Sequence, residues 1–215
     1  MTTTLFRKFL LLSIFINVLL APQGVRAQDT AEQGQELHAL ERKLKTAPND
    51  FDLKLKHAQI LGDSKRFAEE FEEGKGLVLL RPDDPDAYAV LEQGAAGIEK
   101  FDEALKASNK LIQMGFSTPQ VYALHSGYLF SLRRYADAIK SADKAFELAR
   151  TDLSSNFDQA QAHYWRASSI YHVSGPSKAV ISELEQADLK HNDVRLEQFI
   201  RRVKAELSEK TLKRH

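Results

Sequence analysis

The chain has 215 residues, 43% of them apolar, which is enough for one modest domain with a real hydrophobic core. Its 30 basic and 30 acidic side chains balance, so there is no basic footprint for nucleic acid. It contains no cysteine, which excludes disulfides, thiolate zinc sites and a cysteine nucleophile.

Residues 1–27 have the layout of a secretory signal peptide. Arg7 and Lys8 form a short basic start, and Phe9 to Leu20 is an apolar run broken only by Ser13 and Asn17. Val25-Arg26-Ala27 places small side chains at the −3 and −1 positions of a cleavage site before Gln28. A membrane-spanning helix needs roughly 20 apolar residues. This run is shorter, so cleavage is expected rather than anchoring, and no cysteine follows it to take a lipid. The expected location is the periplasm or the cell exterior, with no membrane attachment after cleavage. Losing Arg7, Lys8 and Arg26 leaves a mildly acidic mature chain. Residues 28–50 follow as an N-terminal segment, with a helix expected over Gln35–Thr46 that packs ahead of the repeats.

From residue 51 to 192 the sequence repeats with a period of 34. Phe67, Phe101 and Tyr135 form one series, preceded by Arg66, Lys100 and Arg134. Asp50, Asp84 and Thr118 form a second, whose side-chain oxygens can accept from a free amide of a first helical turn. Pro85 and Pro119 follow two of these at N1, where a missing N–H costs nothing. Pro48 and Pro82 stop the helix before. Ala104 and Ala138 are small, which lets two helices approach closely, and the aromatic series opens the second helix of each pair. The repeats run Phe51–Asp84, Pro85–Thr118 and Pro119–Asp152. Leu153-Ser154-Ser155-Asn156 is a predicted loop, and a fourth repeat spans about Phe157–Lys190 with Gly175-Pro176 at its turn. Its phase is open by one residue, and Tyr164, Tyr171, Leu184 and Ala187 favour Val180, not Ala179, at the small-residue position. Residues 193–215 end the chain: Leu196, Phe199, Ile200, Val203 and Leu207 make one apolar helix face opposite Gln198, Arg201, Arg202 and Glu209. That is the helix a repeat array needs to close its open end.

The segments RRYADAIKSADKAFEL (Arg133–Leu148) and EKFDEALKASNKLI (Glu99–Ile112), with the 34-residue period, resemble the second helix of the tetratricopeptide repeat family. The resemblance implies an all-α fold, a right-handed solenoid of antiparallel helix pairs with about four repeats and a capping helix. It also implies a protein or peptide partner on a concave face lined by the first helix of each pair. The positions facing such a partner would be Asp52, Leu55 and Gln59; Asp86, Ala89 and Gln93; Gln120, Ala123, Gly127 and Phe130; and Trp165, Ser169 and His172, or their neighbours if the phase differs. Lys and Asn, which grip a terminal carboxylate in some members, are missing from these positions. Phe130, Tyr164, Trp165 and Tyr171 are the natural anchors, with core packing as their alternative role.

Repeat one departs from the pattern. Glu70 stands where Ala104 and Ala138 stand later, Lys54 stands where Tyr88 and Tyr122 do, and Gly74 and Gly76 weaken the second helix. No phosphate-loop, H-E-x-x-H, calcium-loop or G-x-S-x-G motif is present, and no cofactor or metal is implied. Asp83, Asp84 and Asp86 are expected to cap and complement a helix start. His57 and His125 hold equivalent positions two repeats apart, too far to share a metal. The expected function is therefore an interaction scaffold, not an enzyme. The alternatives are a self-associating structural subunit and a helical accessory domain of an enzyme using Glu69, Glu70, Glu72 or Glu73. That acidic run is expected to be a solvated face.

Overall fold

The computed structural model describes residues 26–151, 159–188 and 194–212. Residues 1–25, most of the expected signal peptide, lie outside these, as do the predicted loop Leu153–Asn156 and Asp193. Among the described residues there are ten helices and no strand. They are α1 (Arg26–Thr46), α2 (Phe51–Asp63), α3 (Phe67–Leu80), α4 (Pro85–Gly97) and α5 (Phe101–Gln113), followed by α6 (Pro119–Ser131), α7 (Tyr135–Thr151), α8 (Ala160–Ser174), α9 (Lys178–Asp188) and α10 (Val194–Leu212). No described helix is long and apolar enough to cross a membrane. The chain divides into two compact units between Gly115 and Phe116, at the junction of the second and third repeats.

The 34-residue punctuation becomes helix boundaries. Asp50 accepts from the amides of Asp52 and Leu53, Asp84 from Asp86, and Thr118 from Val121. Each satisfies orphan donors of a first turn, and Pro85 and Pro119 sit just inside their helices. Phe67, Phe101 and Tyr135 begin α3, α5 and α7.

The turns inside the pairs share one device that the residue types did not announce. Lys65, Glu99 and Arg133, again 34 apart, adopt left-handed backbone with φ of 60°, 59° and 59°. The next amide in each case (Arg66, Lys100 and Arg134) donates to the carbonyl five residues back, at 2.8, 2.9 and 2.8 Å. This is the Schellman closure of a helix C-terminus, built three times without glycine.

The N-terminal unit has two apolar cores. Leu37 and Leu40 of α1 pack with Ile60 and Leu61 of α2, so α1 precedes the first repeat as a covering helix. Phe51, Ala58, Leu77, Ala87 and Val90 form the second core across α2, α3 and α4. Gly74 has a packing reason as well as its cost to helix propensity: a Cβ there would stand 2.8 Å from the Leu91 Cα. Gly94 is tighter still, since its Cβ would meet the Phe71 amide nitrogen at 2.5 Å. The two helices approach at these points because neither carries a side chain there.

In the C-terminal unit Ala123, Ala145 and Ala162 form a small-residue core flanked by Tyr122 and Phe146. A second core joins Ala167 of α8, Val180, Leu184 and Ala187 of α9, and Leu196, Ile200 and Val203 of α10. Val180 is fully buried and Ala179 is exposed, so the fourth repeat takes the phase with Val180 at the small-residue position. The apolar face of α10 closes this core, with Val203 fully buried and Gln198, Arg201, Arg202 and Glu209 outside. Burying such a side chain is worth roughly 1.5–3 kcal/mol.

Candidate partner-binding surfaces

The first helices of the pairs are α2, α4, α6 and α8. In the N-terminal unit Asp52 is exposed, and Leu55, Gln59, Asp86, Ala89 and Gln93 are half-buried. Asp52 faces Arg81, whose Nη1 lies 3.6 Å from its Oδ1, while the guanidinium sits 4.0 Å above the Phe51 ring. That stack holds the charge in place at the end of α3. Leu55 leans on the Phe51–Leu77 core. The Asp86 carboxyl is raised above the ordinary range by burial and by Asp84 beside it.

In the C-terminal unit three of the expected contact residues are not at the surface. Ala123 and Ser169 are fully buried. Gly127 is buried beneath Trp165, whose Nε1 would lie 2.8 Å from a Cβ on that glycine. As folded, none of these three can touch a partner; their small size makes room for neighbouring helices instead. Gln120 stays half-buried.

Phe130, Trp165 and His172 do come together. The Phe130 ring lies 5.2 Å from Trp165 and 5.5 Å from His172, and Tyr135 stacks on His172 at 4.6 Å with 6° between the planes. His172 is exposed and the other three rings are half-buried. The Trp165 indole N–H is covered and donates to no acceptor among the described residues. Tyr164 meets Trp165 edge-on, and Tyr171 packs on Phe199 while its hydroxyl donates to Glu206 at 2.7 Å. Tyr171 therefore ties α8 to α10 more than it offers an anchor. Tyr135 was visible in the sequence only as a helix-opening aromatic; its pairing with a histidine 37 positions on depends on the fold.

The two helices of the fourth repeat differ in register from those of the third. Ser126 donates to the Ala138 carbonyl at 2.8 Å, and His125 Nδ1 lies 3.0 Å from Ser141 Oγ, which itself donates to the Tyr122 carbonyl. In the fourth repeat Ala167 packs with Val180, and Arg166 donates to Glu183 at 2.6 Å. These pairs coincide if α8 is shifted by 41 residues from α6 but α9 by 42 from α7. The extra residue falls in the turn holding Gly175, where φ is 77°. A single shift of 42 is thus one residue off along α8, but the shift of 41 puts the buried Ser168 in place of the buried Ser169, so this position lies inside in either register.

Polar groups also line the insides of the pairs. His57 Nδ1 lies 3.5 Å from Glu73, which accepts from Lys54 at 2.8 Å. Burial and the Arg134 charge lower the His125 pKa to about 4, so the ring is neutral at ordinary pH. Burial raises the Glu183 carboxyl, but the His163 hydrogen bond and the Arg166 charge outweigh it and the net direction is down. Glu70 breaks the expectation of a solvated acidic face. Glu69 and Glu72 are exposed, whereas Glu70 is fully buried and neither carboxyl oxygen has a hydrogen-bond partner. Among the described residues no group of three or more histidines and acids could hold a metal ion.

No protein-family model matches the sequence, and no curated protein matches it. Solved structures do resemble the fold. A crystal structure of MamA superposes with a TM-score of 0.62 at 17% identity, covering 79% of this chain and 94% of that one. MamA from Desulfovibrio magneticus RS-1 gives 0.63 at 13% identity, covering 78% and 92%. A thermophilic TPR protein of Thermus thermophilus gives 0.56 at 16%, covering 84% and 94%. The identities are low, and what is shared is the architecture: the chain has the all-α fold of tetratricopeptide-repeat proteins, built from antiparallel helix pairs.

Proposed function

We propose that the protein is a binding scaffold that holds an extended segment or a helix of an envelope or secreted protein against its first helices. The carrying observation is the aromatic group of Phe130, Tyr135, Trp165 and His172, which the C-terminal unit leaves partly open to solvent. Interface energy concentrates in such rings, and here their positions are fixed by mutual packing before any partner arrives. In the same unit the half-buried Gln120 amide offers hydrogen bonds to a backbone. The shared tetratricopeptide fold supports a protein partner. The self-association alternative loses its most direct surface, because the apolar face of α10 is already covered within the chain.

The reading is tested by affinity capture from envelope extract with the mature chain and a His172→Ala/Gln120→Ala variant. The expected outcome is a partner held by the wild type and bound at least about tenfold more weakly by the variant, a change of about 1.4 kcal/mol. Recovery of no partner by a chain that melts normally would reject it. Export is part of the same proposal and is supported by the layout of residues 1–27. Mass spectrometry of the exported protein should find Gln28 as its first residue, and a product that retains Met1–Ala27 would refute cleavage.

A further inference from the structure

Glu70 occupies a position that the repeat otherwise gives to alanine, and the register shows how it is fitted in. Ser126 touches Ala138 across the third pair. The same two positions hold Glu92 and Ala104 in the second repeat and Ala58 and Glu70 in the first. One helix of each pair supplies a small residue opposite the other's larger one, and in repeat one the large partner is an acid. Its carboxyl then reaches Gly62, four residues beyond Ala58 on α2. A Cβ on Gly62 would stand 2.5 Å from Glu70 Oε1 and 2.9 Å from the Gln93 amide nitrogen. The backbone of Glu70 lies against Gly94 of α4, 3.0 Å from where that residue's Cβ would be. The side chain is therefore enclosed by α2, α3 and α4 in a space that only glycines leave.

Among the described residues no cation pairs with it. The charge that acts on it is Asp63, at the end of α2, and it is of the same sign. On its own helix Glu69 is taken by Arg66, and Glu73 by Lys54 and His57. From α4 the polar neighbour is the Gln93 amide, and Glu92, the buried acid of that helix, has an interaction of its own. A carboxylate in such surroundings would be unpaired and dry, which costs far more than holding a proton.

We propose that Glu70 is a proton-dependent clasp: the closed packing of α2, α3 and α4 of the N-terminal unit around it admits only the neutral acid, and losing its proton goes with releasing α3. The linkage has a definite sign. Burial first, and Asp63 second, push the Glu70 carboxyl up to about 9 from an ordinary 4.5. Between those limits the closed unit keeps a proton that the opened one gives up. Closure is complete in strength below about 4.5 and weakens as pH rises, by about tenfold in the opening equilibrium per pH unit for one proton. Across the range in which an envelope protein meets changing surroundings, acid would tighten this unit and alkali loosen it.

The test is amide hydrogen exchange of the full mature chain from pH 5 to 8, corrected for intrinsic rates. The expected result for α2–α4 amides is an opening equilibrium that rises by up to about tenfold per pH unit in the wild type and stays flatter in Glu70→Gln. Equal slopes in the two proteins would overturn the proposal. Should Glu70→Gln fail to close, carbon NMR of the Glu70 carboxyl in the wild type decides instead. A resonance unchanged through pH 7 supports the clasp, and one that titrates in the ordinary carboxylate range overturns it.

Discussion

At the scale of single residues, backbone geometry decides more than side-chain type. Glu99 is exposed and left-handed, a conformation that costs a non-glycine residue about 1 kcal/mol or more. Glu99→Gly should therefore raise stability by about 0.5–1 kcal/mol, read as a higher denaturant midpoint at unchanged slope. Gly94→Ala should do the reverse. Its new methyl meets the backbone of Phe71, which cannot swing aside, and a loss of about 1–3 kcal/mol is expected in the same measurement. Gly127→Ala differs in kind, because what it meets is the Trp165 indole. Because that ring is held by Phe130 and Tyr164, a shift in tryptophan fluorescence together with a lower melting temperature is expected. Neither class of glycine could be told from the sequence, since a helical glycine looks the same whether it faces solvent, as Gly76 nearly does, or another helix.

Among the elements, α10 is the clearest case of a role that periodicity disclosed in full. The spacing of Leu196, Ile200 and Val203 marked a one-sided helix, and the structure seats that side on α8 and α9. Ile200→Ala should cost about 2–5 kcal/mol and act on the C-terminal unit first, seen as early loss of amide protection in α8 and α9. The caps of α2, α4 and α6 were equally legible, because Asp50, Asp84 and Thr118 bring a local chemistry that needs no knowledge of the fold. The face of α8 was legible only in part. Trp165 and His172 were expected at the surface and are there, but the apolar pattern marked only that the phase was open by one residue, not that the additional residue sits in the Gly175 turn or that the serine between them is buried. Glu70 was legible as an oddity but not as a buried group, since an acid in the run Glu69–Glu73 gives no sign of which way it points.

For the molecule as a whole, the two units should answer acid in opposite ways. His125 in the C-terminal unit is held neutral at a pKa of about 4 by burial and by Arg134, against an ordinary 6.5. The opened unit takes up a proton that the closed one refuses, so its stability is complete above about 6.5 and falls as pH drops toward 4. Glu183, depressed in the same unit, adds a loss of the same sign at still lower pH. Exchange of α6 and α7 amides should thus speed up between pH 6.5 and 5 beyond its intrinsic change, and His125→Gln should flatten that response. In the N-terminal unit Glu70 and Asp63, both raised, give the other sign.

The left-handed turns at Lys65, Glu99 and Arg133 each end one helix and point the chain into the next. Together with Asp84 and Thr118 they make the segment Pro85–Thr118 complete in its punctuation, with a start, an internal reversal and the next start all written inside it. A copy of that segment spliced in after Thr118 would arrive with every boundary already specified. The gene can lengthen or shorten this protein in whole repeats without rewriting where any helix begins, so its length can change one pair at a time.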